Sequence, residues 1–382
     1  MFIISGVLIY LAIKKDYEPA LLLPIGFGAI LANLPPVIDA VTGNAAASVL
    51  GSEGFLTVLF NSGIKNELFP ILIFIAVGAM IDFSPLMKDP SMIFFGAAAQ
   101  FGIFATFLVA LALIPVVIPD IAAMAAGPEK DSIILRLASA IGIIGAADGP
   151  TTLYVANHFQ LSAYMAPLSV AAYSYMSLVP VIQPPVIRAL TTKKERCIHM
   201  AYTEQRAPRL ALILFPIVVT ILAGVIVPMS APLVGSLMFG NLLRECGVLE
   251  RLSKTAQNEL ANLVTMLLGL TIGSTMIAQN FLRWDTLLIL ALGLLAFVFD
   301  TAGGVLFAKF LNLFRKNKIN PMIGAAGISA FPMSARVIQK MAKAEDPYNF
   351  ILMQSISANV SGQLGSIVAG GLVITLIGMM IG

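Results

Sequence analysis

Residues 141 to 152 read Ile-Gly-Ile-Ile-Gly-Ala-Ala-Asp-Gly-Pro-Thr-Thr, a carboxylate and two helix breakers inside a run that is otherwise apolar. A helix entering this stretch must stop, because Gly149-Pro150 cannot continue it smoothly. In a soluble protein that would be an ordinary helix end. Here the surroundings decide otherwise: 58% of the chain is hydrophobic and only 11% charged. That composition excludes a disordered chain and points to a membrane protein. An acidic residue at bilayer depth needs a partner or a purpose.

Outward from this break, apolar runs cover 20–34, 56–64, 69–81, 92–118, 132–147 and 161–183. After a polar stretch they resume over 210–227, 232–243, 260–281, 286–314 and 350–382. At roughly 20 residues per crossing they amount to about ten spans, several of them interrupted. Met1 to Ile13 is apolar, lacks a basic n-region and a cleavage site, and reads as a retained segment rather than a signal peptide. The segment 188–209 carries Arg188, Lys193, Lys194, Arg196 and Arg206 against Glu195 and Glu204, so it is expected on the cytoplasmic side. It divides the chain into an N-terminal half (1–187), a basic loop (188–209) and a C-terminal half (210–382).

The halves echo one another. Ile144-Gly-Ala-Ala147 returns as Ile323-Gly-Ala-Ala326, each beside a polar break, and Val77-Gly-Ala-Met-Ile-Asp-Phe83 has a weaker echo at Ile272–Phe281. Two related halves with broken helices meeting near the midplane are the pattern of transporters that bind ions or substrate there. The expected fold is therefore an all-α polytopic membrane protein with broken and re-entrant helices and two structurally related, inverted halves.

Several polar residues are candidates for chemistry. A broken helix at Asp148 leaves carbonyls free, and one carboxylate with carbonyls and the hydroxyl of Thr151 or Thr152 suits Na+. The plainer reading is that Asp148 caps the following half-helix. Asn320 and Gly324 lie four residues apart, and Ser329 and Arg336 seven apart, so each pair shares a helical face; Gly327 and Pro332 between them point to a distorted helix on which both pairs are expected to line one cavity. Arg336 offers a planar fork for a carboxylate, or else is an interfacial arginine beside Lys340 and Lys343. Asn359 is an amide in an apolar helix; Tyr173 and Tyr175 are hydroxyls inside a span, available for an ion, a proton or packing. Asp82 and Asp300 read as residues that end or cap segments.

Other classes drop out. Cys197, Cys246, His158 and His199 have no metal-ligand spacing, and a net charge of +3 gives no footprint for nucleic acid. No Gly-Lys-Ser/Thr phosphate loop and no Met-Lys-Met biotin-attachment motif occurs. Driving energy must come from an ion gradient or from chemistry delivered by another polypeptide.

Taken together, Leu8–Lys15, Gly78-Ala-Met-Ile-Asp-Phe83, Ile144–Thr151, Ala171-Ala-Tyr-Ser-Tyr-Met176, Gln183-Pro-Pro185, the Asn320–Gly324–Ser329–Arg336 spacing and the Asn359 segment run nearly end to end. With them the chain resembles the beta subunit of the biotin-dependent sodium-translocating decarboxylases, which act on oxaloacetate, methylmalonyl-CoA, glutaconyl-CoA or malonate. Gly145-Ala-Ala-Asp148 departs from the family's common Gly-Gly-Ala-Asp, and family members often have a longer N-terminus. The resemblance implies a prokaryotic inner-membrane subunit that decarboxylates carboxybiotin and moves Na+ out of the cytoplasm while consuming a proton. The carboxybiotin would arrive on a biotin-carrier protein loaded by an alpha carboxyltransferase subunit. A small single-span subunit and homo-oligomerisation are implied as well. Carried over by position, Asp148, Asn359, Ser329 and Asn320 become Na+ ligands. Arg336, Ser329 and Tyr175 become catalytic, and Arg336, Asn320 and Gly324 bind the cofactor. The rival readings are a stand-alone Na+-coupled carboxylate transporter or Na+/H+ antiporter, and a structural membrane subunit.

Overall fold

A computed structural model describes residues 1–15, 19–35, 54–200 and 207–381. Parts of the small-residue loop after Leu34 and of the basic loop, Glu204 and Arg206 included, lie outside the described residues. Among the described residues every regular element is helical. Fifteen longer helices carry the fold: α1 (Phe2–Lys15), α2 (Pro19–Ala32), α3 (Leu68–Met80), α4 (Ile93–Ala99), α5 (Phe101–Val117), α6 (Pro128–Ile143), α7 (Gly149–His158), α8 (Met165–Ser177), α9 (Val179–Leu190), α10 (Arg209–Ile226), α11 (Ala231–Glu245), α12 (Ala261–Ser274), α13 (Trp284–Phe314), α14 (Met333–Glu345) and α15 (Leu352–Ile381).

Among the described residues four helical stretches are long and apolar enough to cross a membrane: 90–117, α10, α13 and α15. Two bent pairs, 55–65 with α3 at 61° and 162–176 with α9 at 68°, raise the number to six. The eleven apolar runs of the sequence are thus mostly present as helices, but many are too short to span alone. Prolines, 3-10 turns and π-turns interrupt them, and each interruption removes ladder hydrogen bonds that tertiary partners must replace. α10 shows what solvates the outside. It buries only Pro216, while Leu210, Ile217, Ile221 and Val225 are exposed, a surface suited to hydrocarbon rather than water.

α13 is the spine. It packs against α4, α5, α8, α9 and the 3-10 turns 144–146 and 321–327. Its buried face carries Gly293, Ala296, Phe297, Asp300 and Gly304. Asp300 does not end this helix, as the sequence led us to expect of an acidic residue there. It lies inside it, fully buried, beside the Gly102 and Ile103 amides at the start of α5, where neither carboxylate oxygen reaches full hydrogen-bond geometry. The helix that needs capping is its neighbour's, since α4 ends and α5 begins at Gln100. Asp82 does act locally, accepting the Ser84 amide at 2.8 Å.

Around this centre, α2 packs on α12 and α3 on α11. Each pair is locked by an asparagine. Asn33, just after α2, donates to Met276 O at 2.8 Å and accepts from the Ala278 amide at 3.0 Å, closing the end of α12. Asn241 of α11 donates to Ile81 O at 2.9 Å, closing the end of α3. Both asparagines stand nine residues after a proline (Pro24, Pro232) and before a leucine (Leu34, Leu242), a recurrence as regular as the Ile-Gly-Ala-Ala one. A π-turn precedes α3 at 60–65 and α12 at 256–260.

Candidate functional site

α6 starts on Pro128 with Glu129 and Asp131 in its first turn, where acidic side chains complement the helix dipole. It tightens into the 3-10 turn 144–146 and ends at Ala147, whose φ of 53° is left-handed. For a residue with a Cβ that conformation costs about 1 kcal/mol, and here it turns the chain so that Asp148 becomes the N-cap of α7. One carboxylate oxygen accepts the Thr151 amide at 3.2 Å. The other accepts the Ser366 hydroxyl at 2.7 Å and the Ser329 hydroxyl at 3.1 Å, with the Gln363 amide at 3.5 Å. Asp148 is 2% exposed. Cap and convergence point are the same residue, and every one of these partners is uncharged.

The second break meets the first directly. Residues 321–327 form another fully buried 3-10 turn, and beyond it the Ser329 amide donates to Ala146 O at 2.9 Å. Asn359 on α15 donates to Ile328 O at 2.7 Å, and its own side-chain oxygen is buried without a protein partner. The Tyr173 hydroxyl and Thr151 Oγ1 are buried and unpaired as well. The Tyr173 ring packs where a Cβ on Gly149 would fall, 2.2 Å from it, so only glycine follows Asp148 here. A cavity of about 280 Å³ opens onto Asp148, Tyr173, Ser329 and Gln363, with walls from α2, α3 and α12.

Other candidates lie elsewhere. Tyr175 donates its hydroxyl to Leu290 O on α13 and does not line this cavity. Asn320 caps the 321–327 turn through the Met322 amide, 3.1 Å away. It also donates to Arg196 O at 2.8 Å and Ile198 O at 3.0 Å, holding the strap 191–200 across that end of the bundle. Gly324 faces α13: its Cβ would lie 2.0 Å from Gly304 O. Arg336 is exposed in the first turns of α14 and outside the cavity lining. The expectation that both pairs line one cavity therefore fails. The 321–327 turn has 3-10 rather than α periodicity, and the turn 328–332 separates Ser329 from Arg336.

Sequence reading missed Ser366 and left Gln363 without a role. The signal was present: Asn359, Gln363 and Ser366 follow i, i+4, i+7 spacing along an apolar helix, a polar stripe on one face. It also gave no role to Gln183, which donates to Ala325 O at 2.8 Å and accepts the Ser334 hydroxyl at 2.9 Å, tying α9 to the second break.

The strap is pinned by more than Asn320. Thr192 and Glu195 form a reciprocal cap, Arg196 pairs with Glu345 at 2.7 Å, and His199 meets Asp346 at 2.7 Å. The Tyr348 amide and His199 hold the Asp346 carboxyl below the usual carboxylate range.

Chemically, one carboxylate ringed by hydroxyls, amides and carbonyls is a hard-oxygen environment for a small monovalent cation or a proton. Among the described residues no three His, Cys, Asp or Glu side chains cluster as a multi-ligand metal centre.

The comparisons with known proteins agree with that chemistry. Residues 1–377 match the family model for the Na+-transporting oxaloacetate decarboxylase beta subunit. The methylmalonyl-CoA decarboxylase subunit beta of Propionigenium modestum is 46% identical over 99% of this chain and 94% of its own. The oxaloacetate decarboxylase beta chain of Klebsiella pneumoniae is 43% identical over 98% of this chain and 94% of its own. The glutaconyl-CoA decarboxylase subunit beta of Acidaminococcus fermentans is 44% identical over 99% and 92%. The relatives differ in the acid they are named for and agree in being beta subunits of decarboxylases, so the chain belongs to the family of Na+-transporting decarboxylase beta subunits.

Proposed function

We propose that the chain decarboxylates carboxybiotin brought by a partner subunit and couples this step to Na+ export from the cytoplasm, consuming a proton. The observation that carries the reading is Asp148: a buried carboxylate with only neutral partners, at the junction of two broken helices and on a cavity. Its ligand set comprises Asp148 and Ser329, with Asn359 beside Ile328, and Ser366 and Gln363 added from α15. Na+ and H+ compete for the same charge, so replacing one by the other links transport to chemistry.

Loss of CO2 leaves an electron pair on the ureido nitrogen of the substrate, which a delivered proton neutralises. Ser329, Tyr173 and Thr265 bring hydroxyls to the cavity that holds Asp148, and we assign the proton relay to Ser329, which donates to the carboxylate, and to Tyr173, whose hydroxyl has no protein partner. Arg336 orients the substrate carboxylate through its planar fork. Asn320 and Gly324 act indirectly, by fixing the strap and the second break.

The finer architecture belongs to the same proposal. The apolar runs, amounting to about ten spans, are read as two inverted halves, 1–187 and 210–382, joined by the basic loop 188–209 on the cytoplasmic side. Support comes from the paired asparagine locks, the paired π-turns and the abutting 3-10 breaks. The working unit is placed in a prokaryotic inner membrane. Its partners are an alpha carboxyltransferase, a biotin carrier and a small single-span subunit, and further copies of this chain complete it.

The test is reconstitution of the assembled complex in proteoliposomes. Carboxylated carrier should release CO2 only with Na+ present, and Na+ should accumulate inside. Na+ uptake without any carrier would instead identify a stand-alone transporter. In the same assay Arg336→Ala is expected to raise KM for carboxylated carrier at least tenfold, from the loss of about 1.5–3 kcal/mol in a charged hydrogen bond. Half-saturation by Na+ should not move. A defect cured entirely by high Na+ would remove Arg336 from substrate handling.

A further inference from the structure

α14 is sharply two-sided. Ser334, Ala335, Ile338, Gln339, Met341 and Ala342 are buried, whereas Arg336, Lys340 and Lys343 are exposed at i, i+4, i+7 spacing. The stripe ends on two exposed aromatics, Tyr348 (82%) and Phe350 (59%), with Lys343 Nζ 4.7 Å from the centre of the Phe350 ring. The nearby acids are engaged elsewhere: Glu345 with Arg196, and Asp346 with His199 and the Tyr348 amide. Among the described residues none of the three cations has a carboxylate partner. The local field is therefore positive.

The stripe also has a direction. α14 has 13 residues, about 20 Å of helix, and runs from the turn that carries Ser329 to the strap end at Glu345 and Arg196. Three cations in a row facing hydrocarbon would each cost several kcal/mol. The face therefore lies outside the hydrocarbon core, along the helix that joins the strap end to the turn carrying Ser329.

We propose that this face of α14 is the docking track for the carboxylated carrier, with Lys340 and Lys343 drawing the anionic group toward Arg336. The inference rests on the functional reading above and extends it to residues that reading does not use. Charge complementarity commits the occupant: the cargo is a carboxylate, and the track grows continuously from the residue assigned to receive it. Electrostatic steering of this kind acts on encounter and falls with salt.

The experiment compares wild type with the double variant Lys340→Gln, Lys343→Gln, as assembled complex in neutral-lipid proteoliposomes with carboxylated carrier as substrate. The variant should raise KM for the carrier about tenfold at low ionic strength, with kcat and Na+ half-saturation unchanged, and the gap should close at high salt. Lys340→Arg with Lys343→Arg should restore the wild-type KM, which separates charge from misfolding. Unchanged KM beside lost binding to anionic vesicles would give the face to lipid headgroups, and a changed number of copies in light scattering would give it to another copy of the chain. Either result overturns the proposal. A wild-type complex that cannot decarboxylate the carrier sinks the functional reading itself, whereas normal turnover with an unaltered KM in the double variant sinks the track alone.

Discussion

Asp148→Asn is expected to assemble normally and to lose Na+-stimulated CO2 release and Na+ uptake together. Asparagine keeps the shape and still caps α7 through the Thr151 amide, so the fold has no reason to fail. What disappears is the single negative charge that offsets cation desolvation. Removing one partner of a buried ion pair costs about 3–5 kcal/mol, hence more than ~100-fold in Na+ affinity. Lower pH should weaken Na+ binding in wild type, because a proton occupies the same oxygen, and should matter far less in the variant. The measurement is Na+ uptake and CO2 release in vesicles across pH, wild type beside variant. Normal coupled transport in Asp148→Asn would falsify the ion role and leave Asp148 as a cap alone.

The second large effect is expected at a residue with no polar atom in its side chain. Gly324→Ala would push a Cβ to 2.0 Å from Gly304 O, a backbone atom that cannot swing aside. α13 and the second break must separate, at about 1–3 kcal/mol for overpacking, a large share of the ~5–15 kcal/mol that holds a typical domain. The displaced turn also carries Asn320 and leads to Ser329, so decarboxylation should fall with the yield of monodisperse protein. Gly304→Ala gives the matching control, since its Cβ would lie 2.0 Å from Gly324 O, while Gly6→Ala meets nothing within 4 Å. If Gly324 contacts the cofactor rather than α13, Gly304→Ala will behave like Gly6→Ala.

The contrast between these residues shows what could be read without coordinates. Asp148 was legible because a carboxylate, a glycine and a proline in an apolar run admit few explanations. Helix existence was legible for the same reason: hydrophobic runs are a strong signal. The pairing of Ser329 with Arg336 was not, because spacing arguments assume α periodicity and this stretch alternates 3-10 turn, irregular turn and helix. Tyr173 and Tyr175 are separated by one residue, a rotation of about 200° on a helix, so the sequence offers both and only packing chooses. The hydroxyl of Tyr175 is taken by Leu290 O, and that of Tyr173 has no protein partner. Ser366 was hidden by its ordinariness, a serine in a membrane helix usually returning its proton to its own backbone.

The uncharged ring around Asp148 has an electrical consequence. With either Na+ or a proton in place, the carboxylate and its occupant sum to zero, since Ser329, Ser366, Gln363 and the Thr151 amide add no charge. A loaded site can then change sides without doing work against the membrane potential. An emptied site carries one negative charge, worth about 2.3 kcal/mol per 100 mV across the full field. In the proposed exchange of Na+ for a proton both legs are loaded, so voltage would bear only on a crossing made with the site empty.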